Sequence, residues 1–238
     1  MADGIMILVS HMASCDDPWL ERLAEVLGVE LRLRPENDSG AHFVWMCGLP
    51  YVRGKSRGES LEPICAPAYV GGPDSSHYWS EVIGRVNGPS TPTRTSRWAV
   101  NGFDSNSGYL MPRARFALDA TQHTGSHAAS IECLQRGEVE FAAIDGHVWE
   151  RAKTQNPAAV EGLRSVRRIG PSPSPPWLAT RLASEDKRRG FSHVLRSWAS
   201  EDLVDYGIRR FFPVTDAHYD SIRDLDAKTE RSAEAPHH

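Results

Sequence analysis

Ile5-Met6-Ile7-Leu8-Val9 is an unbroken apolar run of the length expected for a buried strand. After it, Trp19, Leu20, Leu23, Val26 and Leu27 recur at helical spacing. Asp16 or Asp17 supplies a cap, Pro18 the first turn and Gly28 the stop. Polar and apolar residues alternate over 29–33. Phe43-Val44-Trp45-Met46 is a third apolar run and ends at Cys47-Gly48. Strand, helix, strand, strand predicts an α/β layer with a largely parallel sheet. Residues 61–70 contain Pro63 and Pro67, which predicts an edge strand or an extended segment.

The middle of the chain keeps the mixed pattern. Residues 78–86 alternate and stop at Asn87-Gly88-Pro89-Ser90, a turn signal. Trp98-Ala99-Val100 predicts a short strand, and a helical stretch follows to Phe116. Gly125-Ser126 opens another helix that buries Ile131 and Leu134 and ends at Gly137. Strands are predicted over 139–144, 163–169 and 177–180, with a short helix over 148–153. Pro171-Ser172-Pro173-Ser174-Pro175-Pro176 is stiff and extended. Two or three helices and a short strand near 208–212 complete the chain, and the polar tail 227–238 is expected to be disordered.

The 238 residues allow one large domain or two lobes. A hydrophobic fraction of 40% against 24% charged residues supports a packed core and excludes wholesale disorder. The net charge of -4 removes the overall basic field expected of a nucleic-acid coat or a membrane-surface binder. Cys15, Cys47, Cys65 and Cys133 form no C-x-x-C pair and match no zinc spacing, so neither metal nor cofactor is expected. No run reaches the ~18 apolar residues of a membrane span. Met12-Ala13-Ser14-Cys15 faintly resembles a lipoprotein cleavage box, but no basic segment precedes it. As written, the chain is expected in the cytoplasm. An export signal on the true N-terminus would place it in the periplasm or on a membrane anchor.

Candidate chemistry gathers at two predicted helix starts. Asp104-Ser105-Asn106-Ser107-Gly108-Tyr109 follows a strand and opens a helix. One such residue suffices for a cap, and here four precede Gly108. Unpaired backbone N–H groups, the positive end of the helix dipole and two hydroxyls together suit an oxyanion. Gly125-Ser126-His127 repeats the arrangement, with a histidine that either supports structure or titrates near neutral pH beside an anion. Asp145, after the buried Phe141-Ala142-Ala143-Ile144, either caps the next helix or accepts a hydrogen bond from a ligand. Gly48 to Ser56 has the glycine, lysine and serine of a phosphate loop, but five residues separate its glycines where the motif has four. No G-x-S-x-G elbow is present.

Ser105-Asn106-Ser107-Gly108-Tyr109-Leu110-x-Pro112, then Gly125-Ser126-His127-x-x-Ser130-Ile131, then Gly137-x-Val139-x-x-Ala142-x-Ile144-Asp145, resembles the phosphate/phosphonate-type substrate-binding proteins of ABC importers. Val44 to Gly48 with Tyr51, Pro63 to Val70 with Tyr78, and Pro175-Pro176-Trp177 extend the likeness over about residues 1–225. The resemblance implies a type 2 periplasmic-binding-protein fold: two α/β lobes, two crossing hinge strands and a ligand in the interlobe cleft. Lobe one would be 1–83 with 177–226, and lobe two 84–176. Ser105, Asn106, Ser107, Gly108 and His127 would hold the oxyanion, and Asp145 would face it. An aromatic of lobe one would close over it, with Tyr78 the best match and Trp45 and Tyr51 as further candidates. Asn106 stands where a second hydroxyl is common.

The function implied is capture of a small phosphate, phosphonate or phosphorylated ligand by a monomer that serves an ABC permease or a sensor, without catalysis. The alternative on the same fold is a cytoplasmic enzyme of the menaquinone-precursor or thiamine-precursor kind. In that reading His127 or Asp145 would be acid or base, and Ser105 or Ser107 would orient a carboxylate. Fold alone does not decide between them.

Overall fold

The computed structural model describes residues 6–12, 18–116, 118–198 and 200–234. Cys15, the expected caps Asp16 and Asp17, and residues 235–238 lie outside them. The chain divides into two compact units. One holds the chain through His77 together with Pro173–Asp220. The other holds Tyr78–Ser172 together with the chain from Ser221 on. The chain thus passes between units at 77/78, 172/173 and 220/221, where the sequence placed passages at 83/84 and 176/177.

The first unit is built on a six-stranded sheet. Its strands are β1 (Ile7–Ser10), β2 (Glu30–Leu33), β3 (Phe43–Trp45), β4 (Glu62–Tyr69), β10 (Trp177–Ala179) and β11 (Ile208–Pro213), in the order β11-β4-β10-β3-β1-β2. β1 pairs parallel with β2 and β3, while β10 and β11 pair antiparallel, so the sheet is mixed rather than largely parallel. β4 is interior, between β10 and β11, not at an edge. Its ladder with β10 shifts register at Leu178, which pairs with Pro63 and so accommodates that proline. Helix α1 (Pro18–Leu27) buries Trp19, Leu20 and Leu23 of the predicted stripe, while Val26 is exposed and Leu27 half-buried, and Gly28 ends it at φ 63°. Residues 48–56 form helix α2 (Gly48–Ser56), so the glycine–lysine–serine run is helical and not a phosphate loop. Its Pro50 sits in the first turn, where a missing N–H costs little, and at Gly54 a Cβ would collide with the Glu59 carboxylate. Helices α6 (Glu185–Ser197) and α7 (Ser200–Val204) belong to the same unit.

The second unit has five strands: β5 (His77–Arg85), β6 (Arg97–Val100), β7 (Ala120–His123), β8 (Phe141–Asp145) and β9 (Leu163–Pro173), in the order β7-β6-β8-β5-β9. β6 pairs parallel with β7 and β8, and β5 pairs antiparallel with β8. The sequence reading passed over β7, because Ala120-Thr121-Gln122-His123 is a largely exposed edge strand without apolar alternation. Helix α3 (Met111–Phe116) covers one face of the sheet, where Val82, Trp98, Val100 and Phe141 pack. Helices α4 (His127–Arg136) and α5 (Gly146–Gln155) cover the other, over Ile83, Ile131, Leu134 and Trp149. The expected disordered tail is helical through Glu234 in α8 (Asp220–Glu234), where Ile222, Asp226 and Thr229 recur on one buried face.

Candidate functional site

Three parallel strands of the second unit, β6, β7 and β8, end on one edge of the sheet, and each leads into a helix start. Such edges are where open α/β sheets bind ligands. After β6, Ser105 caps a widened turn, Asn106–Leu110, that continues into α3. Its Oγ accepts from Gly108 N at 3.0 Å. The turn is π-helical: Leu110 N donates to Ser105 O, and Met111 N to Asn106 O, five residues back in each case. After β7, Ser126 caps α4 by accepting from Ala129 N at 3.1 Å. After β8, Asp145 caps α5, accepting from His147 N at 2.8 Å and Val148 N at 3.4 Å. The capping readings of Ser105 and Asp145 are therefore both realised.

The two serine-rich starts meet. Ser107 Oγ lies 3.4 Å from His127 Nε2, although twenty residues separate them. Burial lowers His127 to about 4. Near neutral pH it is an uncharged imidazole, which corrects the expectation of a charge titrating there. Its Nδ1 is buried and has no partner among the described residues. Burial also pushes Asp145 up to about 7, against the pull of the two backbone N–H groups. Its carboxyl therefore holds its proton well above the usual range and repels a nearby anion less than an ordinary aspartate would. The edge thus offers hydroxyls, backbone N–H groups, an uncharged imidazole and the positive ends of helix dipoles. Such dipoles hold an anion without a cationic side chain.

Asn106 is 0% exposed, and its Nδ2 donates to the Tyr78 hydroxyl at 3.0 Å and to Ser172 Oγ at 2.9 Å. It anchors the turn to β5 and β9. Tyr78 belongs to the second unit, not the first, and is buried beneath that turn. Gly108 lets the Asn101 carboxamide approach closely, since a Cβ there would collide with its oxygen and force that side chain to turn away. Trp45 and Tyr51 are core residues of the first unit. The Trp45 indole donates to Pro175 O at 3.2 Å and stacks on Trp177 at 5.8 Å. Tyr51 is buried, its hydroxyl bonds Asp216, and its ring meets Tyr219 edge-on at 5.2 Å. Sequence reasoning missed Ser80, whose Oγ donates to Ser107 O at 2.8 Å. It missed Ser172 as well, and neither carries a local signal. An open groove of about 650 Å³ lies elsewhere, on the first unit between β4 and α6. There Arg188 pairs with Glu62, and Arg189 with Glu185 and Asp186.

Comparison with known proteins agrees with this architecture. The family model described as "ABC transporter, phosphonate, periplasmic substrate-binding protein" matches residues 10–219. A search of curated proteins finds no match. Among solved structures, a binding-protein component of an ABC phosphonate transporter from Pseudomonas aeruginosa superposes with a TM-score of 0.80 at 15% identity, covering 96% of this chain and 87% of that one. PhnD1 from Prochlorococcus marinus, in complex with methylphosphonate, gives 0.77 at 17% identity, covering 95% and 98%. A Xanthomonas citri protein bound to ATP gives 0.69 at 15% identity, covering 95% and 97%. A chain matched over nearly its whole length, with two sheets and the helix starts described above, belongs to the phosphonate-type periplasmic substrate-binding family of ABC transporters and is a solute-binding protein.

Proposed function

We propose that the ligand is a small phosphonate or phosphate monoester, held by its oxyanion at the carboxyl edge of β6, β7 and β8. The observation that carries this reading is the approach of Ser107 Oγ to His127 Nε2 at the starts of two helices. Ser105 and Ser107 donate hydroxyls to the anion, the backbone N–H groups around Gly108 add to them, and neutral His127 donates from its ring. Asn106 and Tyr78 hold the turn in place, and Asp145 takes part as a carboxylic acid. The methylphosphonate held by the Prochlorococcus relative supports the ligand class. The family's character supports export of this chain and delivery of the ligand to an ABC permease.

Calorimetry with methylphosphonate, inorganic phosphate and a phosphate monoester tests the ligand class. Saturable binding of at least one is expected. Folded protein that takes up none of them would overturn the reading.

A further inference from the structure

The same strand ends that deliver the anion-binding groups also build an exposed aromatic corner. Phe103 lies two residues before Ser105, in the segment between β6 and the widened turn. His123 is the last residue of β7, four before His127. The two rings stack, with centroids 5.5 Å apart and planes 16° from parallel. Tyr109, two residues after Ser107, meets Phe103 edge-on at 5.1 Å. Arg113 bonds the Tyr109 hydroxyl and lies over its ring at 5.3 Å.

Seven phenylalanines occur in the chain, and all are described. Phe103 is the only one that is exposed, at 51%. Leaving a large apolar ring in water forgoes its burial energy. A ring that is solvent-exposed yet fixed in orientation by two neighbours is a preorganised apolar surface rather than a loose side chain. It occupies the sheet edge that carries Ser105, Ser107 and His127.

We propose that Phe103, with His123 and Tyr109 behind it, forms a shelf for the organic substituent of the ligand. The class of ligand it selects is a phosphonate or phosphate monoester bearing a planar aromatic group. This rests on the anion reading above, because the anion sets the end from which the substituent extends. Stacking on aromatic rings is the matching chemistry, since a flat π-face meets Phe103 over a large area.

Calorimetry with methylphosphonate and phenylphosphonate separates the two readings. Wild-type protein is expected to bind phenylphosphonate more tightly than methylphosphonate. Phe103→Ala should weaken phenylphosphonate by about three- to tenfold and leave methylphosphonate within about twofold, the scale of ordinary surface substitutions. Phe103→Tyr should keep the preference. A wild type that binds methylphosphonate without favouring phenylphosphonate overturns the shelf and leaves the anion site standing. So does a Phe103→Ala variant that loses both ligands equally or neither. A folded wild type that binds neither compound removes the anion reading, and the shelf falls with it.

Discussion

Both units place three adjacent parallel strands side by side, β2-β1-β3 in the first and β7-β6-β8 in the second, yet their carboxyl ends carry different chemistry. In the first unit β3 ends in Trp45, which packs edge-on against Trp19 at 4.9 Å and stacks on Trp177, and Cys47 starts α2 without a side-chain cap. In the second unit the three ends deliver Ser105, Ser126 and Asp145, each capping its own helix. The end of β3 closes an aromatic core, and the three ends of the second unit leave polar donors in place. Like strand pairing thus leads to unlike chemistry, which the residue types at the strand ends decide.

The largest break in this contrast should come from Trp45→Ala. Removing a buried indole should cost about 3–5 kcal/mol of stability, read from denaturant unfolding. Ligand affinity of the fraction that stays folded should hardly change. A stable Trp45→Ala protein with abolished binding would return Trp45 to the ligand.

Asp145→Asn comes next, and its effect depends on pH. The folded carboxyl titrates near 7 and the unfolded one near 3.8, so the folded state keeps the proton longer. Wild-type stability contributed by this group is present below pH 4 and is lost as pH rises towards 7. Asparagine caps as well as aspartate and carries no charge. The variant should therefore lack this loss, a difference of up to about 4 kcal/mol at pH 8. Melting curves at pH 4, 6 and 8 are the check, and parallel curves for the two proteins would count against a raised carboxyl.

Ser107→Ala tests the polar edge directly. Loss of one hydrogen bond to a charged group costs about 1.5–3 kcal/mol, so affinity for methylphosphonate should fall roughly tenfold to a hundredfold. The melting temperature should stay close to wild type, since Ser107 is not the cap of its turn. Unchanged affinity would exclude its hydroxyl from the site.

The smallest effect is expected at His127. Near pH 7 its ring is uncharged, so His127→Ala should cost the ~0.5–1.5 kcal/mol of a neutral hydrogen bond, and His127→Gln should recover part of that. The affinity ratio of wild type to His127→Gln should stay constant from pH 6 to 8 in calorimetry, because the titrations of Asp145 and of the ligand are common to both proteins. A ratio that rises steeply towards pH 6 would mean that the bound anion pulls a proton onto the ring.

Local signals revealed the helix starts at this edge. A Ser-rich segment after an apolar run marked the start at Ser105, Gly125-Ser126 marked the next, and Gly137, at φ 74°, marked the end of α4. What stayed hidden depends on partners far along the chain. The partners of Asn106 stand 28 and 66 residues away, so nothing beside it distinguishes an anchor from a ligand contact. Trp45 and Tyr51 find theirs 130 and 165 residues away, and only the family resemblance had made either a candidate to close over a ligand. Helix α2 was hidden for another reason: two glycines and a proline speak against a helix that packing nevertheless imposes.

The widened turn at Asn106–Leu110 sets how this locus can change by insertion and deletion. A π-helical turn holds one residue more than an α-helical turn over the same stretch. Deleting a residue there would close the turn to ordinary winding, with the strand before it and α3 after it still in place. Four residues would then present what five present now, so Ser105, Asn106 and Ser107 could not all keep their present directions. If the turn holds the proposed anion, point substitutions can adjust which one. Changes of length in these five positions should be purged, while neighbouring loops such as 86–96 remain open to them.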